Sequence, residues 1–361
     1  NSNIGFETIV SKISKKENLN KSDYKMIQNV TLNAMRYETV ISEIIKKNSK
    51  KVDHNDNTYY LLLSGITQLI ILNFKPYAVI NSTVELSKIK NMRSSSSFVN
   101  AILRKINKTY KNKEFFDNFS KLPLWFKKRV KEWDTKTQKK FLTTIKKEPS
   151  LHLVFKKKED LIKINIPYDK TSECSIAPKG ISEIKNIPGY DEGLWWVQDY
   201  AAMLPILSLK NLKDKKVADL CAAPGGKTFQ VLSKTSEIDS FDKNEVKLEL
   251  FKKNLTRLKF SKNCNIQIKN VLEQKINAKY DLVILDAPCS ALGTIRRNPE
   301  IFFRKNAPDF DNIEQIQYRL LNKARDIIKP NGRILYMVCS FLKNECENQI
   351  YKFLKRNNNF S

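Results

Sequence analysis

The sequence predicts a multidomain chain: an all-α helical bundle, then a small mixed α+β module, then an α/β domain built on a doubly wound parallel sheet. Three observations predict it. The chain's 361 residues exceed the roughly 100–200 of a typical domain. Apolar residues before about residue 134 recur at helical three and four spacing, with no convincing alternating strand. From Val217 onward short apolar strands alternate with helical patterns, the order that builds a parallel sheet. A 41% hydrophobic content lets each part bury a core and excludes a disordered chain. The pattern places the parts at 1–134, 135–208 and 209–361.

In the first part, Tyr24-Met26-Ile27-Val30, Val40-Ile41-Ile44-Ile45 and Phe98-Ile102-Ile106 trace helix faces. The apolar stretch Tyr59 to Phe74 falls short of the ~20 residues needed to span a bilayer, and Ser64, Gly65, Thr67 and Gln68 interrupt it. It predicts a buried helix, and no membrane partner. Within Ser94–Ser97 a serine is placed to cap the helix that follows. The run Lys105 to Lys113 is either a phosphate-facing surface or a solvated helix end. In the middle part, Leu151–Phe155 and Leu161–Ile166 predict strands, punctuated by Pro167, Pro178, Gly180, Pro188 and Gly189. A helix over Tyr200–Leu207 leads into the last part, whose strands are predicted at Val217–Leu220, Ile238–Phe241, Ile266–Ile268, Asp281–Leu285 and Arg333–Val338.

Charge narrows the partner. Lys and Arg number 65 against 38 Asp and Glu, a formal +27, which favours a polyanion through phosphate neutralisation and counterion release. A compositional bias toward Lys, Asn and Ile accounts for part of that excess, and nucleic acid is the first candidate for the rest. No secretory leader opens the chain, although a start at Asn1 suggests that residues precede it. Six cysteines without a CxxC pair read as reduced thiols of a cytosolic, cytoplasmic protein. Two distant histidines, His54 and His152, make a zinc site improbable, and no metal is expected.

The motifs fall at strand ends, where sheets of this kind bind ligands. Cys221-Ala222-Ala223-Pro224-Gly225-Gly226-Lys227-Thr228 follows a strand and opens a helix, and its glycines let backbone amides approach a nucleotide-like ligand. A P-loop needs glycine where Cys221 stands, and the dinucleotide fingerprint is missing, so ATP hydrolysis and dehydrogenation are disfavoured. Asp242 ends the next strand, about twenty residues on, where an acidic side chain accepts ribose hydroxyls. Asp286-Ala287-Pro288-Cys289 ends a third strand and Cys339 a fifth. A lone cysteine in such a place is more often a small buried residue, the reading given to Cys174 and Cys264. Two cysteines at neighbouring strand ends beside a carboxylate suit methylation of a pyrimidine at carbon 5, which is barely nucleophilic until a thiolate adds at carbon 6. One thiolate adds, the carboxyl group hydrogen-bonds nitrogen 3, and the other cysteine helps remove the carbon-5 proton. Spacing leaves open which cysteine attacks.

Asp219–Thr228, Asp286–Ser290 with Gly293, Arg296-Arg297-Asn298-Pro299-Glu300, Cys339-Ser340 and Gly189–Asp199 resemble the bacterial Sun/Fmu-type (RsmB-like) small-subunit rRNA cytosine-C5 methyltransferases. Phe98–Arg104 looks like the NusB-like RNA-binding domain of that family, so nearly the whole chain is covered. The resemblance implies a Rossmann-like methyltransferase domain that holds S-adenosylmethionine with the loop Cys221–Lys227, Asp242 and Asp286. It implies Cys339 as nucleophile and Cys289 as the cysteine that resolves the adduct. The expected substrate is an unpaired or hairpin-loop cytosine of small-subunit rRNA. Arg296 and Arg297 near the cleft mouth, and Lys105, are candidate RNA contacts, and no obligate protein partner is inferred.

Departures accompany the match. Asn270 stands where the family usually has an Asp on the adenine side of the cofactor, and an amide still donates and accepts. Val338 replaces a Thr before the nucleophile, and Cys346 an Asn after Glu345. The chain ends before the family's final strands, which implies a sheet without its edge hairpin. Two other readings stand beside the enzyme: a non-catalytic, antitermination-type RNA-binding protein with a relic methyltransferase domain, and a methyltransferase of protein or small molecules, which leaves the cysteine pair unused.

Overall fold

The computed structural model describes residues 6–49, 52–89, 95–110, 122–181, 183–235, 237–303 and 307–361. Ser94 and Lys111–Lys113, named above, lie outside them. The chain divides into two compact units, one running through Glu148 and including Thr294–Ala307, the other comprising Pro149–Gly293 and Pro308–Ser361.

The first unit is helical: α1 (Phe6–Lys16), α2 (Lys21–Asn48), α3 (Asn57–Ile66), α4 (Pro76–Ser87), α5 (Ser96–Thr109), α6 (Leu124–Arg129) and α7 (Thr135–Lys146). Polar residues fix the starts. The side chains of Asn20, Asp56, Ser95 and Asp134 accept backbone N–H groups in the first turns of α2, α3, α5 and α7, each cap contributing about 1 kcal/mol. The apolar stripes then close on one another: Ile41, Ile44, Ile45, Leu62, Ile66, Val99, Leu103 and Ile106 are all buried to 1% exposure or less. Each such aliphatic side chain contributes about 1.5–3 kcal/mol. The expected buried helix from Tyr59 is α3 continued by a π-helical turn, Thr67–Ile71.

The second unit carries two sheets. The smaller has β1 (Leu153–Phe155), β2 (Tyr168–Ser172), β3 (Ser175–Pro178) and β4 (Trp195–Val197) in the order β2-β3-β1-β4, antiparallel throughout. One expectation fails here: Leu161–Ile166 is not a strand, because Lys158–Lys163 winds into a 3-10 helix. In that helix residues three apart eclipse, and Lys163 reaches the buried Asp160 carboxylate at 3.0 Å.

After α8 (Tyr200–Leu207) come β5 (Val217–Leu220), α9 (Gly226–Leu232), β6 (Ile238–Asp242), α10 (Glu245–Arg257), β7 (Cys264–Ile268), β8 (Tyr280–Asp286), α11 (Phe310–Ile327), β9 (Ile328–Met337) and α12 (Glu347–Arg356). The five strands pair in parallel in the order β7-β6-β5-β8-β9. Alternation along each strand divides the core between the faces. Val217, Leu282 and Ile284 pack with Phe229, Phe251 and Leu255 of α9 and α10. Ala218, Leu220, Val283 and Leu285 face Leu320, Leu321, Ile327 and Phe353 of α11 and α12. Helices therefore cover both faces of a Rossmann-like sheet, as expected. The order reverses beside β5, and the carboxyl edge of such a sheet is where a ligand is received.

Candidate active site

The strand order sets Asn270, Asp242, the loop Cys221–Lys227, Asp286 with Cys289, and Cys339 in a row along the carboxyl ends of β7, β6, β5, β8 and β9.

The loop after β5 is built from backbone geometry. Cys221 takes a left-handed φ of +65°, the conformation for which glycine is favoured, at the position where a P-loop would have one. Ala222 donates its N–H to the carbonyl of Phe241 at 3.0 Å, and Gly225 to that of Ala222 at 2.8 Å. Gly225 has φ +105°, and a Cβ there would lie 2.3 Å from the Phe251 ring, so only glycine admits this turn. Asp242 is tied to the same loop: Oδ2 accepts the N–H of Ala223 at 3.0 Å and Oδ1 that of Asn244 at 2.8 Å. A carboxylate so placed keeps a further acceptor position on each oxygen, which suits the vicinal hydroxyls of a nucleoside. Lys227 Nζ donates to Asp286 Oδ2 at 2.5 Å, joining the first turn of α9 to the end of β8. Asn270 accepts the N–H of Leu272 at 3.2 Å and donates to Glu273 Oε1 at 2.6 Å. Backbone amides, hydroxyl-accepting carboxylates and a glycine turn together fit a nucleoside cofactor. Beneath the loop, Asp219 is buried and accepts the Thr228 hydroxyl at 2.6 Å. Burial pushes its carboxyl group up to about 7, a rise that the Thr228 hydrogen bond opposes.

At the other end of the row the two thiols meet. Ala287 donates to the carbonyl of Met337, and Gly293 to that of Cys339, each at 2.9 Å. These bonds bring Cys289 and Cys339 together with their Sγ atoms 3.1 Å apart. Cys339 is exposed and Cys289 half-buried. The contact with Cys289 holds the Cys339 thiol below its ordinary value against the effect of burial. The same contact, reinforced by burial, raises Cys289. The remaining cysteines go the other way for one leading reason, burial: Cys221 is pushed up to about 12, Cys264 and Cys346 to about 11, and Cys174 is raised. Cys346 meets the site only from behind, its thiol donating to the carbonyl of Ser340 at 3.4 Å.

Sequence reasoning missed what supports the thiols. Glu345 is wholly buried, and both its oxygens accept hydrogen bonds from Ser290, Ser340 and Gln317. The available signal was a serine immediately after each cysteine with an acidic residue five positions beyond the second.

The RNA candidates belong to the helical unit. Lys105 is exposed on α5, and Arg297 is exposed in the segment after Gly293. Arg296 is otherwise employed: its guanidinium donates to the carbonyls of Lys147 at 3.0 Å and Glu148 at 2.7 Å. Its own carbonyl accepts from Arg36 at 2.8 Å. Phe302 adds ring contacts with Trp125, Phe126 and Phe141. The segment that follows the Cys289 loop is thus anchored among the helices. Among the described residues no helix is long and apolar enough to cross a membrane, and no group of three His, Cys, Asp or Glu side chains is placed to hold a metal ion.

A parallel sheet with a glycine loop at its switch point, joined to a helical bundle, defines a Rossmann-like methyltransferase with an accessory helical domain. Residues 206–361 match the family model of the 16S rRNA methyltransferase RsmB/F, and residues 5–108 that of the NusB family. The chain is 28% identical over 370 residues to the probable ribosomal RNA small subunit methyltransferase B of Coxiella burnetii, a match spanning 93% of this chain and 84% of that protein. It is 27% identical to the ribosomal RNA small subunit methyltransferase B of Photorhabdus laumondii, spanning 97% and 85%. The crystal structure of the protein PH0851 shares the fold, with TM-score 0.72 and 21% identity over 96% of this chain and 84% of that one. A methyltransferase homolog from Pyrococcus horikoshii matches with TM-score 0.56 and 25% identity over 67% and 80%.

Proposed function

We propose that this protein methylates carbon 5 of a cytosine in small-subunit rRNA through a covalent adduct with Cys339. The observation that carries the proposal is the 3.1 Å approach of the Cys289 and Cys339 sulfurs beside the strand-end carboxylate Asp286. The names of the relatives supply the substrate class.

S-adenosylmethionine, held by Cys221, Ala222, Ala223, Pro224, Gly225, Gly226, Lys227, Asp242, Asn270 and Asp286, would supply an electrophilic methyl carbon. The protein's own part begins with the Cys339 thiolate, which adds to carbon 6 of an unstacked cytosine while the Asp286 carboxyl group hydrogen-bonds nitrogen 3. Electron density then reaches carbon 5, which becomes the nucleophile. Once the Cys339 sulfur is committed to its bond with carbon, the thiolate that held a proton on Cys289 is gone. Cys289 then releases its own proton to solvent and, as a thiolate, accepts the proton from carbon 5 as the carbon–sulfur bond breaks, and the base leaves methylated. In the helical domain, Lys105 and Arg297 are the proposed phosphate contacts. Arg296, its guanidinium occupied by two carbonyls, is assigned to holding its segment.

The test is transfer of labelled methyl from S-adenosylmethionine to unmodified small-subunit rRNA, with the product base mapped. Cys339→Ala is expected to abolish incorporation while cofactor binding persists, and product from that variant sinks the nucleophile assignment. Cys289→Ala is expected to leave a denaturant-resistant protein–RNA adduct, whose absence removes the release role. No transfer by the wild type together with tight RNA binding would favour the non-catalytic reading.

A further inference from the structure

Behind the two thiols lies a buried carboxylate that takes no part in the proposed chemistry. Glu345 has 0% exposure. Its Oε2 accepts the backbone N–H of Ser290 at 2.8 Å and the Gln317 amide at 3.2 Å. Its Oε1 accepts the hydroxyls of Ser290 at 2.5 Å and Ser340 at 2.6 Å. Ser290 follows Cys289 in the chain, and Ser340 follows Cys339. Gln317, on α11, also donates to the carbonyl of Pro288 at 3.0 Å, so the residues on both sides of Cys289 are gripped by one network. The Glu345 main chain is fixed in turn, its carbonyl accepting the Tyr336 hydroxyl at 2.7 Å.

A buried carboxylate costs several kcal/mol unless hydrogen bonds replace its water, and here four donors do so. Three of the four come from the two residues that immediately follow the cysteines. We infer that Glu345 is the positioning residue of the thiol pair: by accepting from Ser290 and Ser340 at once it sets the approach of the two sulfurs. Rotation of either loop would pull a serine off the carboxylate, so the pair's separation is fixed by Glu345 as well as by the backbone bonds at Ala287 and Gly293. The contact with Cys339 is the leading cause that raises Cys289, burial follows, and the Glu345 charge adds a smaller push in the same direction. The other titratable groups facing the pair are Asp286, which raises Cys339, and Lys227, which lowers it. Tyr336 and Cys346 lie behind, both raised chiefly by burial.

Glutamine is the informative replacement. It keeps the shape but offers one acceptor oxygen in place of two, and it turns an NH2 group toward donors. The inference concerns the thiols proposed above as the reacting pair, and its test does not need turnover. The full-length protein is treated with iodoacetamide between pH 6 and 9, and modification of Cys339 and Cys289 is followed by peptide mass spectrometry. In the wild type, Cys339 is expected to react at least about tenfold faster, since each unit of separation between two thiol pKa values is a tenfold difference in thiolate. In Glu345→Gln the preference is expected to fall below about threefold, with Cys289 modified at lower pH than in the wild type. Ser340→Ala, which removes one donor and leaves the carboxylate, is expected to fall between them, and it decides the matter where Glu345→Gln fails to fold. A folded Glu345→Gln protein with the wild-type preference at every pH overturns the inference. So does an unchanged preference in Ser340→Ala where the Gln variant does not fold. Loss of selectivity in a wild-type background that transfers no methyl supports the positioning role while removing the proposed reaction.

Discussion

Asp219 and Glu345 are both buried carboxylates beneath the carboxyl edge of one sheet, the first under the glycine loop and the second under the two cysteine loops. The protein solvates them unequally. Asp219 is 1% exposed and accepts one hydrogen bond, from Thr228, while its Oδ1 has no partner among the described residues. Glu345 accepts four. The loop above Asp219 is shaped by its own backbone, through the left-handed turns at Cys221 and Gly225. A turn of that kind needs little from the side chain below it. The cysteine loops come from separate strands and share only a few backbone bonds, so a charged side chain with donors from both has to hold them in register.

Breaking the loop side has the largest expected effect. Gly225→Ala puts a methyl group 2.3 Å from the Phe251 ring at a φ of +105°. Strain and overpacking together are expected to cost about 2–5 kcal/mol, read as a fall in the denaturant midpoint. At neighbouring Gly226 a Cβ would lie 3.5 Å from Gln198, an ordinary contact, and alanine there is expected to leave the midpoint nearly unchanged. Equal losses at the two positions would contradict a loop held by its own backbone. The folded fraction of Gly225→Ala is expected to keep the selectivity of Cys339 over Cys289, because nothing in the thiol network has moved.

Asp219 sharpens the comparison through pH. Its folded pKa of about 7 lies above the ordinary 3.8, so between these values the folded state binds a proton that the unfolded state has released. The contribution to stability is complete below pH 4 and is lost as pH rises toward and through 7. Three units correspond to an upper bound on the order of 4 kcal/mol. Asp219→Asn removes the titration and retains an acceptor for Thr228. The melting temperature of the wild type is expected to fall relative to that of the variant across this window and to run parallel to it below pH 4. Parallel curves throughout would show that the carboxylate is better solvated than its single partner implies.

The same contrast explains what was legible in the sequence. Gly225, Gly226 and Asp242 could be read because each sits a fixed short distance past an apolar strand, and the strand predictions after Val217 lie within a few residues of β5–β9. Cys289 and Cys339 were readable as strand-end residues, but their 3.1 Å contact depends on β8 and β9 being neighbours. Glu345 reaches Ser290 across 55 positions, and no local pattern encodes that pairing. Leu161–Ile166 misled for the opposite reason. Its local alternation suited a strand, and the Asp160–Lys163 pair at 3.0 Å belongs to the tighter helix formed instead. The engagement of Arg296 with the Lys147 and Glu148 carbonyls was hidden too, since a paired arginine motif reads equally well as a phosphate grip.

The smallest expected effect concerns Asn270, where the resemblance led us to expect an aspartate. Here the amide donates to Glu273 at 2.6 Å while its oxygen accepts from Leu272, so the residue pins the turn after β7 through a donor that aspartate lacks. Asn270→Asp would set two carboxylates against each other at an exposed position, where solvent screening limits the cost to about 0.5–1 kcal/mol. S-adenosylmethionine affinity, measured by calorimetry, is therefore expected to weaken by no more than about fivefold. Adding Glu273→Gln restores a donor beside the new carboxylate, and the double variant is expected to bind at least as well as the wild type. A double variant no better than Asn270→Asp alone would mean that the amide contacts the cofactor directly and that Glu273 is incidental to it.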